Sequence, residues 1–356
     1  MAISGFRGLD STMQAAVQLR ARFNEETRQA ASGMRADSYA GLGADARRSV
    51  NLRSELSRRE VLATNAGQAE GRASFAQTIL GRFSDIASSI SASAADGLGA
   101  MSTNRSLIAE NARKALSEVT GLLRERYQGE AVFGGSDLQA DPIMSPEEIF
   151  GSGLYTGIRD QMAQLGTSGA AAVLANTRAL AGSNDPAITP FSAHAAAAAR
   201  GEIDDPRRNV TVADGVRVDI GLYPNRDAAA LPPGKDSTGS WSRDLLHGLS
   251  VLANLDAAPA ESDVSAVLQG VIGVLRSARE RVDNEAGALG YAQKRLDSAR
   301  AENTEIGNQL EQQLGDLEAV DPAEAFIRLQ ATQTQLQASY KSLAMLGDLT
   351  LTSYLR

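Results

Sequence analysis

Residues 264–320 read VSAVLQGVIGVLRSARERVDNEAGALGYAQKRLDSARAENTEIGNQLEQQLGDLEAV, and the spacing of their apolar positions decides the fold. Leu268, Leu275, Val282, Leu289, Leu296, Asn303, Leu310 and Leu317 recur every seven residues, and Val264, Val271, Ala278, Ala292, Ala299, Ile306 and Val320 fill most of the alternate positions. A stripe sustained at this period is a coiled-coil seam, because only a supercoiled helix keeps it facing one partner for so long. Gly287 and Gly290 weaken the helix locally, and Asn303 is a polar register-setter.

The seam ends at Asp321-Pro322-Ala323-Glu324, with a capping Asp, proline at the first helical position and Glu at the third. A further helix follows, carrying Phe326, Leu329, Leu336, Tyr340 and Leu343 on one face, and finishes in an apolar stretch over 349–355. So bare a stripe needs a cover, either another molecule or another part of this chain.

The start of the chain mirrors this pattern. Leu9, Met13, Ala16, Leu19 and Phe23 stand at helical steps of three and four. Leu62, Ala69, Ala76, Phe83 and Ile90 repeat every seven, with Ile79 and Ile86 between them, and Ala112, Leu116, Val119, Leu123 and Tyr127 form a third series. Proline separates the two ends: of ten, none precedes Pro142, nine lie between Pro142 and Pro259, and the last is Pro322. An interior proline costs a helix about 3 kcal/mol, so long helices are confined to the two flanks.

In between, residues 209–223 read NVTVADGVRVDIGLY, two alternating stretches around Asp214-Gly215 that predict a β-hairpin. Residues 162–200 are Ala-rich, residues 231–239 form a loop, and helical spacing resumes from Trp241 through Leu245, Leu249 and Leu252. The fold class expected is mainly α with a small α+β insert. Long N- and C-terminal helices form a coiled-coil or helical-bundle rod, and the central domain contains the hairpin.

The formal charge of −8 argues against nucleic-acid binding. It is unevenly spread: residues 1–130 hold 17 basic against 14 acidic side chains, leaving 18 against 29 for the rest. That asymmetry favours pairing of the two parts or of neighbouring copies, where it is more than chance. No apolar run approaches the length of a membrane span, and the first thirty residues lack the apolar core of a cleavable signal.

Chemistry is hard to find. With no cysteine, thiolate sites and disulfides are excluded. His194 and His247 stand in unrelated contexts, without metal-binding spacing. Gly151-Ser-Gly-Leu-Tyr-Thr-Gly fails the dinucleotide fingerprint and reads as a loop, and Gly234-Lys235-Asp236 lacks the hydroxyl residue of a phosphate-cradling loop. No catalytic, cofactor-binding or metal residue is assigned, and no enzyme is expected.

Three stretches resemble the flagellin superfamily. Residues 28–38, RQAASGMRADS, are similar to its N-terminal signature of a helix ending in Ser-Gly-hydrophobic-Arg-x-x-Ser; residues 65–80, NAGQAEGRASFAQTIL, resemble its Ala-Gln-Thr stretch. Residues 321–355 resemble its closing helix. After Ser38 the chain reads Tyr-Ala-Gly-Leu-Gly-Ala-Asp and departs from the usual Asp-Asp-Ala/Pro-Ala, which bears on the local turn. Within the superfamily, residues 127–136, YQGEAVFGGS, and the final Tyr354-Leu355 look like the hook-filament junction proteins (hook-associated protein 3); Asp214-Gly215-Val-Arg-Val-Asp-Ile-Gly occurs in similar form in flagellins too.

The resemblance implies a structural adaptor between hook and filament, exported unfolded through the flagellar export apparatus and extracellular once assembled. Its implied partners are other flagellar axial proteins, a hook-associated protein and flagellin, its own copies in a ring or helical array, and an export chaperone on the C-terminal helix. Neither nucleic acid nor membrane insertion is implied. Flagellin itself is one alternative, a cytosolic coiled-coil scaffold a second, and an enzyme carried in the insert a third.

The segments then read as an N-terminal axial helix over 1–40, rod helices over 41–141, an outward-facing insert over 142–258, a rod coiled coil over 259–320 and a C-terminal axial helix over 321–356. Leu9, Met13, Leu19, Phe23, Phe326, Leu329, Leu336, Tyr340, Leu343 and Leu346 are the expected subunit-interface residues. Leu62, Ile79, Phe83, Ile86, Leu289, Leu296, Ile306, Leu310 and Leu317 are the expected rod seam.

Overall fold

The computed structural model describes residues 2–99, 105–203, 207–225, 237–262 and 264–354, with side chains for all of these but 2–10, 99 and 346–354. In chain order the elements are α1 (Ala2–Ser32), α2 (Ala46–Gly99), α3 (Arg105–Leu123), β1 (Arg126–Tyr127), β2 (Glu130–Ala131), α4 (Gly153–Ala163), α5 (Leu165–Ser168) and α6 (Ala170–Gly182). Then come α7 (Ala193–Ala199), β3 (Asn209–Ala213), β4 (Val216–Asp219), α8 (Trp241–Ala253), α9 (Ser265–Glu318) and α10 (Pro322–Tyr354). The fold is mainly α, with long terminal helices and two short antiparallel hairpins, β1–β2 and β3–β4. Two compact units form: residues 1–61 with 302–356, and residues 62–301.

In the unit of residues 62–301, the heptad positions of α2 and α9 do what their spacing predicts. Leu62, Ala69, Ala76, Phe83 and Ile90 are buried along α2, and Leu268, Leu275, Val282, Leu289 and Leu296 along α9. Neither Gly287 nor Gly290 interrupts α9. Where the core thickens, Phe83, Phe133 and Trp241 meet with ring centroids 5.6, 5.1 and 6.2 Å apart. Every residue of α8 is buried, and α8 packs on α3, α4 and α6, so the proline-rich middle supplies a central core helix.

The β3–β4 hairpin forms around Asp214-Gly215 as its alternation predicts. Val212, Val218 and Ile220 pack on Ala66 and Ala69 of α2 and on Ala292 and Leu296 of α9. The third helical series is shorter than its spacing implied: α3 stops at Leu123, and Tyr127 stands in β1. Gln128 at φ 53° and Gly129 at φ 85° make the tight turn that diverts the chain there. The expected loop at 151–157 is largely helix, because Ser152 accepts a hydrogen bond from Tyr155 N and caps α4.

Buried charges tie these parts together. Arg243 donates to Asn225 Oδ1 at 2.9 Å and Gly182 O at 2.6 Å, and its guanidinium lies 5.7 Å from the Phe191 ring centroid. Burial pushes its pKa down to about 10, so it stays charged at neutral pH. Asp244, in the first turn of α8, accepts from Ser237 Oγ at 2.6 Å and from Thr238 N at 2.7 Å. Arg72 of α2, buried against Ala131 O, shares Glu130 with Arg208; burial, then Arg208, lowers its pKa.

Candidate assembly surface

In the unit formed by residues 1–61 and 302–356, α1 packs on α10. A clasp sets this pairing. α1 ends at Gly33, whose φ of +71° is cheap only for glycine, and Gly33 N donates to Gln29 O at 2.8 Å. The chain then crosses the α9–α10 joint: Val320 N donates to Gly33 O at 2.9 Å, Arg35 N to Glu318 O at 2.6 Å and Arg35 Nη1 to Leu317 O at 3.2 Å.

Beneath the crossing lies the buried Glu318 carboxylate, which accepts from Arg53 Nε at 3.0 Å and from Ser49 Oγ. Arg53, with Ser49 assisting, holds this carboxyl below the usual carboxylate range. Asp321 caps α10, accepting from Ala323 N at 2.8 Å. Glu324 turns to Arg328 instead of closing a capping box.

Two helices side by side can cover only one stripe each. The seam between α1 and α10 buries Ala16, Ala325 and Thr332, and half-buries Leu19, Phe23, Leu329, Leu336 and Leu343. Outside it, Met13, Val17, Phe326, Ile327, Tyr340 and Met345 are 47–69% exposed. A monomer gains little from a surface so apolar; covering six such side chains is worth on the order of 10 kcal/mol.

The interface residues expected from sequence therefore divide. Met13, Phe326 and Tyr340 lie open, whereas Leu19, Phe23, Leu329, Leu336 and Leu343 help hold α1 to α10. The side chains of Leu9 and Leu346 lie outside those described. Val17, Ile327 and Met345 were not anticipated, because one stripe per helix passes over apolar residues on a second face; the signal for Ile327 and Met345 is that α10 is apolar on more than one side. Of the expected seam residues, Leu62, Ile79, Phe83, Ile86, Leu289, Leu296 and Leu317 are buried, and Ile306 and Leu310 half-buried.

Among the described residues no cluster of three or more His, Asp or Glu could hold a metal ion. His194 Nε2 lies 3.3 Å from Ser136 Oγ, but among the described residues no carboxylate orients the ring's other nitrogen. His247 is buried, with Nε2 2.9 Å from Thr177 Oγ1. Burial, then Arg178, pushes its pKa down to about 4. Among the described residues no helix is long and apolar enough to cross a membrane.

Residues 272–355 match the family model described as the bacterial flagellin C-terminal helical region. Among solved structures the chain is similar to one titled as a putative flagellar hook-associated protein from Vibrio parahaemolyticus, with a TM-score of 0.52 at 13% identity, over 77% of this chain and 97% of that one. No curated protein matches. The C-terminal helices thus match a flagellin helical-region model, and the chain shares the fold of that solved structure.

Proposed function

We propose that this protein is a structural subunit of the bacterial flagellum that acts as an adaptor between hook and filament. The observation that carries the reading is the open apolar face of the α1–α10 pair; covering it with other molecules would complete its burial. A protein exported unfolded has little use for a self-sufficient terminal core; burial deferred until assembly lets incorporation finish the fold. Before export, the same face of α10 offers a chaperone an amphipathic helix to hold.

The junction role is favoured over the filament role by the β1–β2 turn and the segment after it. There Phe133 is delivered to the core, Gly135 N donates to Leu222 O at 2.9 Å, and Gly134 leaves no room for a side chain: a Cβ would lie 2.0 Å from Asp137 O. This is the stretch that resembles the junction proteins, and the similar structure, a putative flagellar hook-associated protein, points the same way. The flagellin reading is supported by the matching helical-region model.

Position and copy number separate the two. Tagged protein confined to a short zone at the distal end of the hook, with hooks lacking filaments in the deletion strain, supports the adaptor. Label along the whole filament transfers the assignment to flagellin, and retention in the cytosol overturns both.

A further inference from the structure

We infer that copies of this chain stand side by side through two oppositely charged helix faces, the outer face of the N-terminal part of α2 on one copy against the outer face of the C-terminal part of α9 on the next. The inference rests on the chain being an assembling subunit and adds which surfaces meet and in what register.

Within the unit of residues 1–61 and 302–356, Ser49, Arg53 and Leu56 of α2 face α9: the first two bind Glu318, and Leu56 Cδ1 would lie 3.8 Å from a Cβ on Gly307. On the opposite side of α2, Arg47, Val50, Arg58 and Val61 are all exposed. At about 100° per residue they fall within an arc of about 80°. The two valines, 46% and 55% exposed, give this face an apolar component beside its cations.

The outer face of α9 is the complement. Glu305, Gln312 and Asp316 are exposed, and they fall on one arc opposite Asn303, Leu310 and Leu317. From Glu302 to Ile327 the sequence has seven acidic side chains, Glu302, Glu305, Glu311, Asp316, Glu318, Asp321 and Glu324, and no Lys or Arg. Among the described residues Glu305 and Asp316 make no ion pair, and nor does Arg47.

Register strengthens the match. Arg47 and Arg58 are eleven residues apart, as are Glu305 and Asp316, so both pairs span about 16 Å of helix. The helices run antiparallel, with Leu56 beside Gly307 and Arg59 Nη1 3.3 Å from Asn303 Oδ1. Counting outward from these contacts puts Arg47 level with Asp316 and Arg58 level with Glu305. A neighbour set alongside without axial displacement therefore meets charge with opposite charge at both positions, and Val50 meets the segment around Gln312. A contact between two different faces propagates around a ring, each copy using one face on each side.

The cysteine-free sequence allows a clean test. The full-length chain bearing Val50→Cys and Gln312→Cys, as the only copy in its cell, is mildly oxidised and isolated flagellar structures are run without reductant. The expected result is a ladder of linked multimers that neither single cysteine gives. Adding Arg47→Glu with Arg58→Glu should reduce the ladder about tenfold or more, and adding Glu305→Arg with Asp316→Arg to that same chain should bring it back. Protein present in the structures without a ladder, or a ladder indifferent to charge reversal, overturns the contact.

If the cysteines block incorporation, the cysteine-free charge variants decide through motility: each reversed pair should abolish it and the fourfold exchange restore it, and failure of the exchange overturns the inference. Labelled position keeps the two readings apart. A ladder from protein spread along the filament preserves the contact and removes the junction role, whereas no ladder from protein confined to the junction does the reverse.

Discussion

Replacing His247 with Gln should remove a defined part of the protein's acid sensitivity. The ring is 1% exposed, and Thr177 Oγ1 donates to Leu174 O at 3.2 Å, which leaves His247 Nε2 as the donor to Thr177. Its Nδ1 has no partner, so protonation would place an unsatisfied cation in the core. With the folded pKa at about 4 against an ordinary 6.5, the unfolded chain binds the proton more readily. Stability is therefore complete above the ordinary value and falls as pH drops, levelling near the folded one. Between pH 7 and 5 the loss from this residue is about 2 kcal/mol.

Glu318 acts in a different window: its depressed pKa contributes stability that is lost only as pH falls below the ordinary 4.5. Asp244, raised by burial, has the opposite sign and is common to both proteins. Denaturant melts of wild type and His247→Gln at pH 7 and pH 5 isolate the histidine. The wild type should lose about 2 kcal/mol more than the variant between the two, and equal losses would refute the assignment of a buried neutral imidazole.

Phe83→Ala should cost about 3–5 kcal/mol by opening the contacts of Phe83 with Phe133 and Trp241, read as a lowered denaturation midpoint in the unit of residues 62–301. Gly134→Ala should be destabilising despite its small size, because Asp137 O occupies the place of the added methyl; the check is a thermal melt beside Gly151→Ala, whose Cβ would meet nothing within 4 Å. Glu318→Gln should weaken the clasp by about 1–2 kcal/mol and speed proteolysis near residues 33–37, while leaving the Phe83 core protected. Deleting residues 338–356 should leave the β3–β4 hairpin folded and abolish incorporation into flagella, as a pull-down of assembled structures would show.

Much of this fold was written in periodicity. In α9 the seven-residue spacing survived Gly287 and Gly290 because burial against a continuous partner outweighs about 1 kcal/mol of helix propensity at each. The hairpin was legible from Asp214-Gly215, and the domain-like change of composition from the prolines. What stayed hidden was non-local. Nothing around Glu318 announces that Arg53 and Ser49 will meet it from the other end of the chain. The burial of all of α8 was equally unreadable, since Arg243, Asp244 and His247 suggest a polar face until their partners are brought in from distant segments. At the assembly surface the helices themselves were foreseen, but which of their apolar residues would close the α1–α10 seam and which would remain open depended on how the two helices rotate against each other.

Hydrogen exchange, followed helix by helix in the dilute full-length chain and again in assembled flagella, is the most direct test of whether neighbours complete the terminal helices. Slow exchange of α2, α8 and α9 in both states, with α1 and α10 exchanging fast in dilute solution and slowly after assembly, is the predicted outcome. Equal protection of α1 and α10 in the dilute chain would contradict it.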